Sequence, residues 1–176
     1  MNQDSRPFDV IAQLAALRRY ARSLTLNTPD AEDLVHDTLL RAFERRTTYR
    51  SGANLRTWLF AILHNTHIDR LRRSKARRQE QEVAIEDAEP SYPAGQEQAV
   101  RLRQVREAFL ALPEDQREAL HLVAVEDLSY QEAADALGIP IGTLMSRISR
   151  ARARLRSLED DPKQKTKLRI IGGGNE

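Results

Sequence analysis

The sequence predicts an all-α protein: two small helical domains joined by a flexible acidic linker, the C-terminal one containing a helix-turn-helix. Three observations predict it. Apolar residues recur at steps of three and four through most of the chain, while glycines number 7 and aromatics make up only 5% of 176 residues. The charges are segregated: six basic residues and no acid from Arg70 to Arg78, then Glu80, Glu82, Glu86, Asp87, Glu89 and Glu97 with no Lys or Arg across 79–97. Third, Ser129 to Leu158 has the pattern of two helices around one tight turn.

That last stretch organises the C-terminal domain. Ser129 and Glu132 have the Ser-x-x-Glu spacing of a capping box, and Gly138 supplies the left-handed residue that stops the helix after Leu137. Pro140 and Ile141 open a second helix on which Leu144, Ile148, Ala151, Leu155 and Leu158 share an inward face. Its other faces carry Thr143, Met145, Ser146, Arg147, Ser149, Arg150, Arg152, Arg154 and Arg156, and no acid lies between Ile141 and Leu158. Such a pair suits a helix-turn-helix whose second helix enters the major groove while its later arginines reach phosphates. An amphipathic surface helix with a solvated basic face is the alternative.

Composition bounds the rest. Net charge is +2, from 28 Lys and Arg against 26 acids, so partner choice rests on local clusters. With no cysteine the chain forms no disulfide, thiolate zinc site or Cys nucleophile, which fits a cytoplasmic protein. The polar N-terminus and the lack of any long apolar run predict neither a signal peptide nor membrane insertion.

Taken in order, Phe8, Ile11, Leu14, Leu17, Ala21 and Leu24 predict an amphipathic helix over 7–26, ended by Asn27. Thr28 as N-cap and Pro29 as first helical residue start the next, reaching about Arg46, with Asp30 and Glu32 favoured by its dipole. Its expected buried stripe is Ala31, Leu34, Val35, Thr38, Leu39, Ala42 and Phe43, with Asp33, His36, Asp37, Arg41 and Glu44 outward or marginal. Thr47 to Ala53 reads as a loop. A third helix follows from Asn54, a candidate cap, to Arg78, with Leu55, Trp58, Leu59, Ile62 and Thr66 inward and His64, Asn65, His67, Asp69 and Arg70 on the other faces. His64, His67 and Asp69 lack a clear fourth ligand, so no metal or other cofactor is expected.

The 79–97 segment, with Pro90, Pro93 and Gly95, reads as the linker. Beyond it, Leu102, Val105, Phe109 and Leu112 form a helical stripe stopped by Pro113. Glu114 and Asp115 charge the first turn of a helix whose expected core face is Ala119, Leu120 and Val123. The domains are therefore 1–78 and 98–159, with a disordered tail expected over 160–176, where Leu168, Ile170 and Ile171 are the apolar residues.

Four runs in this order, Asp30 to Phe43, Arg56 to Arg70, Leu112 to Leu120, and Leu128-Ser-Tyr-Gln-Glu-Ala-Ala through Gly142 to Arg152, resemble the compact two-domain bacterial RNA polymerase sigma factors of the extracytoplasmic-function type. The resemblance implies a first domain that holds core RNA polymerase and opens the promoter −10 element, a second that reads the −35 element, and an anti-sigma factor as a further partner. Asp33, His36 and Asp37, with Arg41 beside them, fall where the family meets the polymerase clamp; His36 stands where Gln is more usual. For the −10 element the implied residues are Tyr49 and Asn54 in the loop and Asn65, Arg70 and Arg73 on the third helix. For the −35 element they are Thr143, Met145, Ser146, Arg147, Ser149, Arg150, Arg152 and Arg154, with Met145 where many members carry Lys or Arg. The acidic linker is expected to enter the polymerase, since phosphate repels carboxylates.

Two other classes stand against this reading. A helix-turn-helix repressor or activator would bind operator DNA without polymerase, and would ordinarily need dimer symmetry. An enzyme would have to work from His64, His67, Asp33 and Asp37 without Cys or a glycine-rich phosphate loop, and none is expected.

Overall fold

The computed structural model describes residues 8–50, 52–78 and 97–159; the acidic linker and the C-terminal tail lie outside them. Seven α-helices and two short 3-10 turns make up the described residues, and no strand occurs among them. The helices are α1 (Leu14–Thr25), α2 (Thr28–Glu44), α3 (Leu55–Arg78), α4 (Glu97–Leu110), α5 (Glu114–Ala124), α6 (Tyr130–Leu137) and α7 (Ile141–Glu159).

In the N-terminal half α1 begins later than its periodicity predicts. A 3-10 turn occupies Ile11–Gln13, and Ile11 is 85% exposed, so it leaves the inward stripe expected of it. Leu26 then turns the chain in a left-handed conformation (φ 62°). The cap of α2 is Asn27 rather than Thr28: its Oδ1 accepts from the Asp30 N–H at 2.8 Å, which satisfies one of the open donors of the first turn. Ala31, Leu34, Val35, Thr38 and Ala42 are buried as expected, whereas Phe43 is 62% exposed. Asn54 caps α3, its side-chain oxygen accepting from the N–H of Arg56 and Thr57. Helices α1, α2 and α3 pack on one another around Leu17, Tyr20, Leu34, Leu59, Phe60 and Leu63.

In the C-terminal half, α5 and α6 pack on α7. Leu102 and Val105 of α4, expected inside, face solvent, because no element covers that side of the helix among the described residues. Helix α5 departs further from expectation. Besides Ala119 and Leu120, it buries Gln116, Arg117, Glu118, His121 and Leu122, while Val123 is only half-buried. The reason is that α5 has neighbours on two sides: α7 behind and α1 in front. Helix α3 likewise meets α6, so the two halves touch directly.

Candidate nucleic-acid interface and partner surface

The helix-turn-helix is built from local chemistry. Ser129 N–H donates to Glu132 Oε2 at 2.9 Å and the Glu132 N–H donates back to Ser129 Oγ at 3.2 Å, a complete capping box. The Ser129 backbone and hydroxyl donors, followed by the Asn54 amide, hold the Glu132 carboxyl below its ordinary range. Gly138 takes φ 63°, where a side chain would be strained, and its turn delivers the chain to α7. Leu144, Ile148 and Ala151 anchor α7 in the core. Thr143, Met145, Ser149, Arg150, Arg152 and Arg154 are exposed and Ser146 is half-buried, so most of the predicted reading face is open.

Arg147 is the exception. It turns inward, donating from Nη1 to Glu118 Oε1 at 3.1 Å and lying 3.6 Å from Asp115 through Nε. An arginine assigned by sequence to −35 DNA, beside the reading face, thus sits against α5.

A second face runs along α2. Asp33 and His36 are exposed as expected, and Leu40 and Phe43 continue the same stripe at steps of four and three, 52% and 62% exposed. The Arg46 guanidinium lies 4.3 Å over the Phe43 ring. The sequence reading missed the apolar part of this face; the signal was the 33–36–40–43 spacing, which runs alongside the buried stripe. Asp37 and Arg41, expected to belong to it, are turned toward α3. Asp37 Oδ2 accepts from Arg70 Nε at 3.1 Å, the Asp33 carbonyl accepts from Arg70 Nη2 at 2.9 Å, and Arg41 donates to Asp69 at 2.8 Å. These partly exposed pairs clasp α2 to α3, and the Asp37–Arg70 pair is worth about 0.2–1 kcal/mol.

The predicted −10 residues are brought only partly together. Tyr49 packs at a tilt against Phe8 and Trp58 at ring separations of 5.9 and 5.4 Å, and its hydroxyl donates to the Ala53 carbonyl at 2.5 Å. Trp58, read as a core residue, is half-buried: it packs against the core and also meets Phe8 and Tyr49. Asn65 and Arg73 are exposed on α3, whereas Arg70 is engaged by Asp37. Asn54, besides its cap, donates from Nδ2 to Glu132 Oε1 at 2.6 Å.

That last contact belongs to a seam of ionic and polar contacts between the halves. Its centre is Glu126, whose side chain is fully buried. Arg19 of α1 donates to both its oxygens at 2.9 and 2.8 Å, Arg56 of α3 donates to Oε2, and His121 of α5 lies 3.2 Å from Oε1. Burial alone would raise this carboxyl; the hydrogen bonds and charges of His121 and Arg19 outweigh it and hold the pKa at about 2. The following residue, Asp127, takes φ 56°, a left-handed turn that Asp tolerates better than most residues.

Around this centre Glu118 Oε2 lies 3.2 Å from His64 Nδ1, Glu114 pairs with His67 at 2.6 Å, and Arg117 donates to the carbonyls of Ser23 and Leu112 at 2.5 and 2.7 Å. His64 and His67, expected on outer faces of α3, are 12% and 7% exposed by side chain. Nothing local in the sequence distinguishes these residues from a solvated helix face.

Fold and faces together describe a two-part helical protein, with a basic helix-turn-helix and a separate exposed stripe of polar and apolar residues on α2. Comparison with known families makes the class specific. Residues 11–77 match Sigma-70 region 2 and residues 102–155 match Sigma-70, region 4. The ECF RNA polymerase sigma factor EcfG of Rhodopseudomonas palustris is 40% identical over 97% of this chain and 97% of its own length. SigM of Mycobacterium tuberculosis is 36% identical over 81% of this chain and 70% of its own. Among solved structures, the sigma factor RpoE of Bartonella quintana in complex with the anti-sigma factor NepR superimposes with a TM-score of 0.74 at 37% identity, covering 87% of this chain and 96% of that one. The chain belongs to the ECF-type RNA polymerase sigma factors, which associate with the polymerase and direct initiation at specific promoters. They are regulatory DNA-recognition proteins, and among the described residues no helix is long and apolar enough to cross a membrane.

Proposed function

We propose a division of labour within this chain: 1–78 engages core polymerase and the −10 element, 98–159 reads the −35 element, and 79–97 is the linker between them. The observation that carries it is the face of α7 with exposed Thr143, Met145, Ser149 and Arg150 and half-buried Ser146, set behind a complete capping box and a left-handed Gly138. Ser149 and Arg150 stand in the N-terminal half of the helix, the part that reaches base edges, while Arg152 and Arg154 are placed for phosphates. On α2, Asp33, His36, Leu40 and Phe43 offer a polymerase surface, with Asp37 and Arg41 behind it bracing α3. Tyr49, Asn54, Asn65, Arg70 and Arg73 serve the −10 strand. The protein works in the cytoplasm without a cofactor and catalyses no reaction of its own. An anti-sigma factor is a further partner, since the Bartonella quintana relative is bound to one.

The test is a −35 library transcribed by core polymerase plus this chain at two salt concentrations. Arg150→Ala should flatten preference at one or two positions, by about 1–3 kcal/mol of discrimination. Arg154→Ala should weaken all sequences alike and reduce the salt dependence by about one ion. Preference unchanged by the first and shifted by the second would rotate the reading face away from this assignment, and efficient promoter binding by the chain alone would favour a polymerase-independent regulator.

A further inference from the structure

The side of α7 that the functional reading turns toward bases is not uniformly polar. Gly142, Met145, Ser146 and Ser149 recur at i, i+3, i+4 and i+7, so they share one side of the helix, and Ile141 borders them one turn before Met145. Met145 is 51% exposed and Ile141 42%, whereas Leu144 and Ile148 on the inward side are buried. A single exposed apolar side chain is ordinary. Here two stand one turn apart at the start of the helix, and no acid lies between Ile141 and Leu158.

Gly142 adds a second observation. Its backbone is helical, and a Cβ at this position would meet nothing within 4 Å, so no neighbour inside the chain requires a glycine there. Glycine in a helix is less favourable than alanine, because it gives up more backbone freedom on folding. What the missing side chain provides is room for something outside the chain to come close to the helix.

The surroundings indicate what comes close. Arg150, Arg152 and Arg154 are exposed around this strip, a setting that suits phosphates and disfavours an extended apolar protein surface. In the major groove guanine offers acceptors, adenine an acceptor and a donor, cytosine a donor, and thymine an acceptor together with its C5 methyl group. The Met145 thioether has no donor and is only a weak acceptor, so it cannot make the paired hydrogen bonds that distinguish guanine or adenine. It can pack against a methyl group, and its flexible, polarizable chain adapts to so small an apolar target.

We propose that Met145, bordered by Ile141 and brought near by Gly142, recognises a thymine of the −35 element through the C5 methyl group of the base. The contact rests on the assignment of α7 to the −35 element made above and adds to it the base and the group that is read.

Uracil is thymine without that methyl group and pairs with adenine in the same way, so it removes the contact from the DNA side alone. A −35 sequence is first selected from a library by core polymerase with the full chain, and each dT in it, on either strand, is then replaced by dU in turn. At one or two positions dU should weaken binding of the polymerase-bound chain by about fourfold, the factor that one buried methyl-sized group contributes. Met145→Ala should bind the dT duplex more weakly and show no difference between dT and dU there, while Met145→Leu, which stays apolar, should keep the difference. Gly142→Ala should unfold at no lower urea concentration than the unmutated chain, yet bind the selected duplex more weakly. Binding indifferent to dU at every position, or a dU penalty that Met145→Ala leaves intact, would overturn the methyl contact with the −35 assignment still standing. Unchanged DNA affinity in Gly142→Ala would overturn the close approach at that residue. A chain that selects no −35 sequence with core polymerase would sink the assignment itself, and the methyl contact with it.

Discussion

Glu126 makes the stability of the protein depend on pH with a sign and size that follow from its surroundings. The perturbation is Glu126→Gln, which keeps the shape of the side chain and removes its titration. The groups facing the carboxylate are Arg19 from α1, Arg56 from α3 and His121 from α5, the helix just before it. With these partners the pKa falls from 4.5 to about 2. A depressed pKa stabilises the fold above the unfolded value and loses that contribution as pH falls toward the folded value. The shift corresponds to about 3 kcal/mol when fully expressed, and about 2 kcal/mol of it is gone at pH 3. Because the other carboxylates titrate in both proteins, the difference between unmutated chain and variant isolates Glu126. Urea unfolding at pH 5 and at pH 3 should show the stability advantage of the unmutated chain shrinking by about 2 kcal/mol. Parallel losses in the two proteins would refute the reasoning, since they would mean that Glu126 carries no ionic coupling in the folded state.

Three further outcomes test the N-terminal half. Phe43→Ala should weaken core-polymerase binding without lowering stability, because Phe43 is 62% exposed and contributes little to the core, and unchanged binding in a pull-down would remove it from the partner surface. Reversing Asp33 and Asp37 to Lys should weaken core binding too, but should also cost about 1 kcal/mol of stability through the lost Asp37–Arg70 pair, read as a lower urea midpoint. Asn65→Ala, at an exposed position on α3, should impair promoter opening more than polymerase binding; equal transcription from a linear and a pre-opened template would count against base capture there.

The parts legible in the sequence are those whose causes lie within a few residues. Ser129, Glu132 and Gly138 build the helix-turn-helix by hydrogen bonds and a left-handed turn spanning one short helix, so spacing alone located them. The inward stripe of α7 and the exposed arginines beside it follow from the 3.6-residue period in the same way. The Asn27 cap of α2 was displaced by one residue from Thr28, since both side chains offer an acceptor and only the backbone geometry chose between them.

What the period could not supply was whether a stripe has anything to pack against. Ile11, Phe43, Leu102 and Val105 sit at apolar spacings yet face solvent, while Arg117, Glu118, His121 and Glu126 look like an exposed polar face and are buried. The sequence by itself determined the seven helices of the described residues, the capping box of α6 and the charge of α7. Only the tertiary structure decided that α5 lies between two neighbours, and therefore that Glu126 meets Arg19, 107 positions earlier in the chain. A buried carboxylate is tolerable only with partners that offset its lost hydration, and those partners come from α1 and α3, which local spacing around residue 126 does not encode.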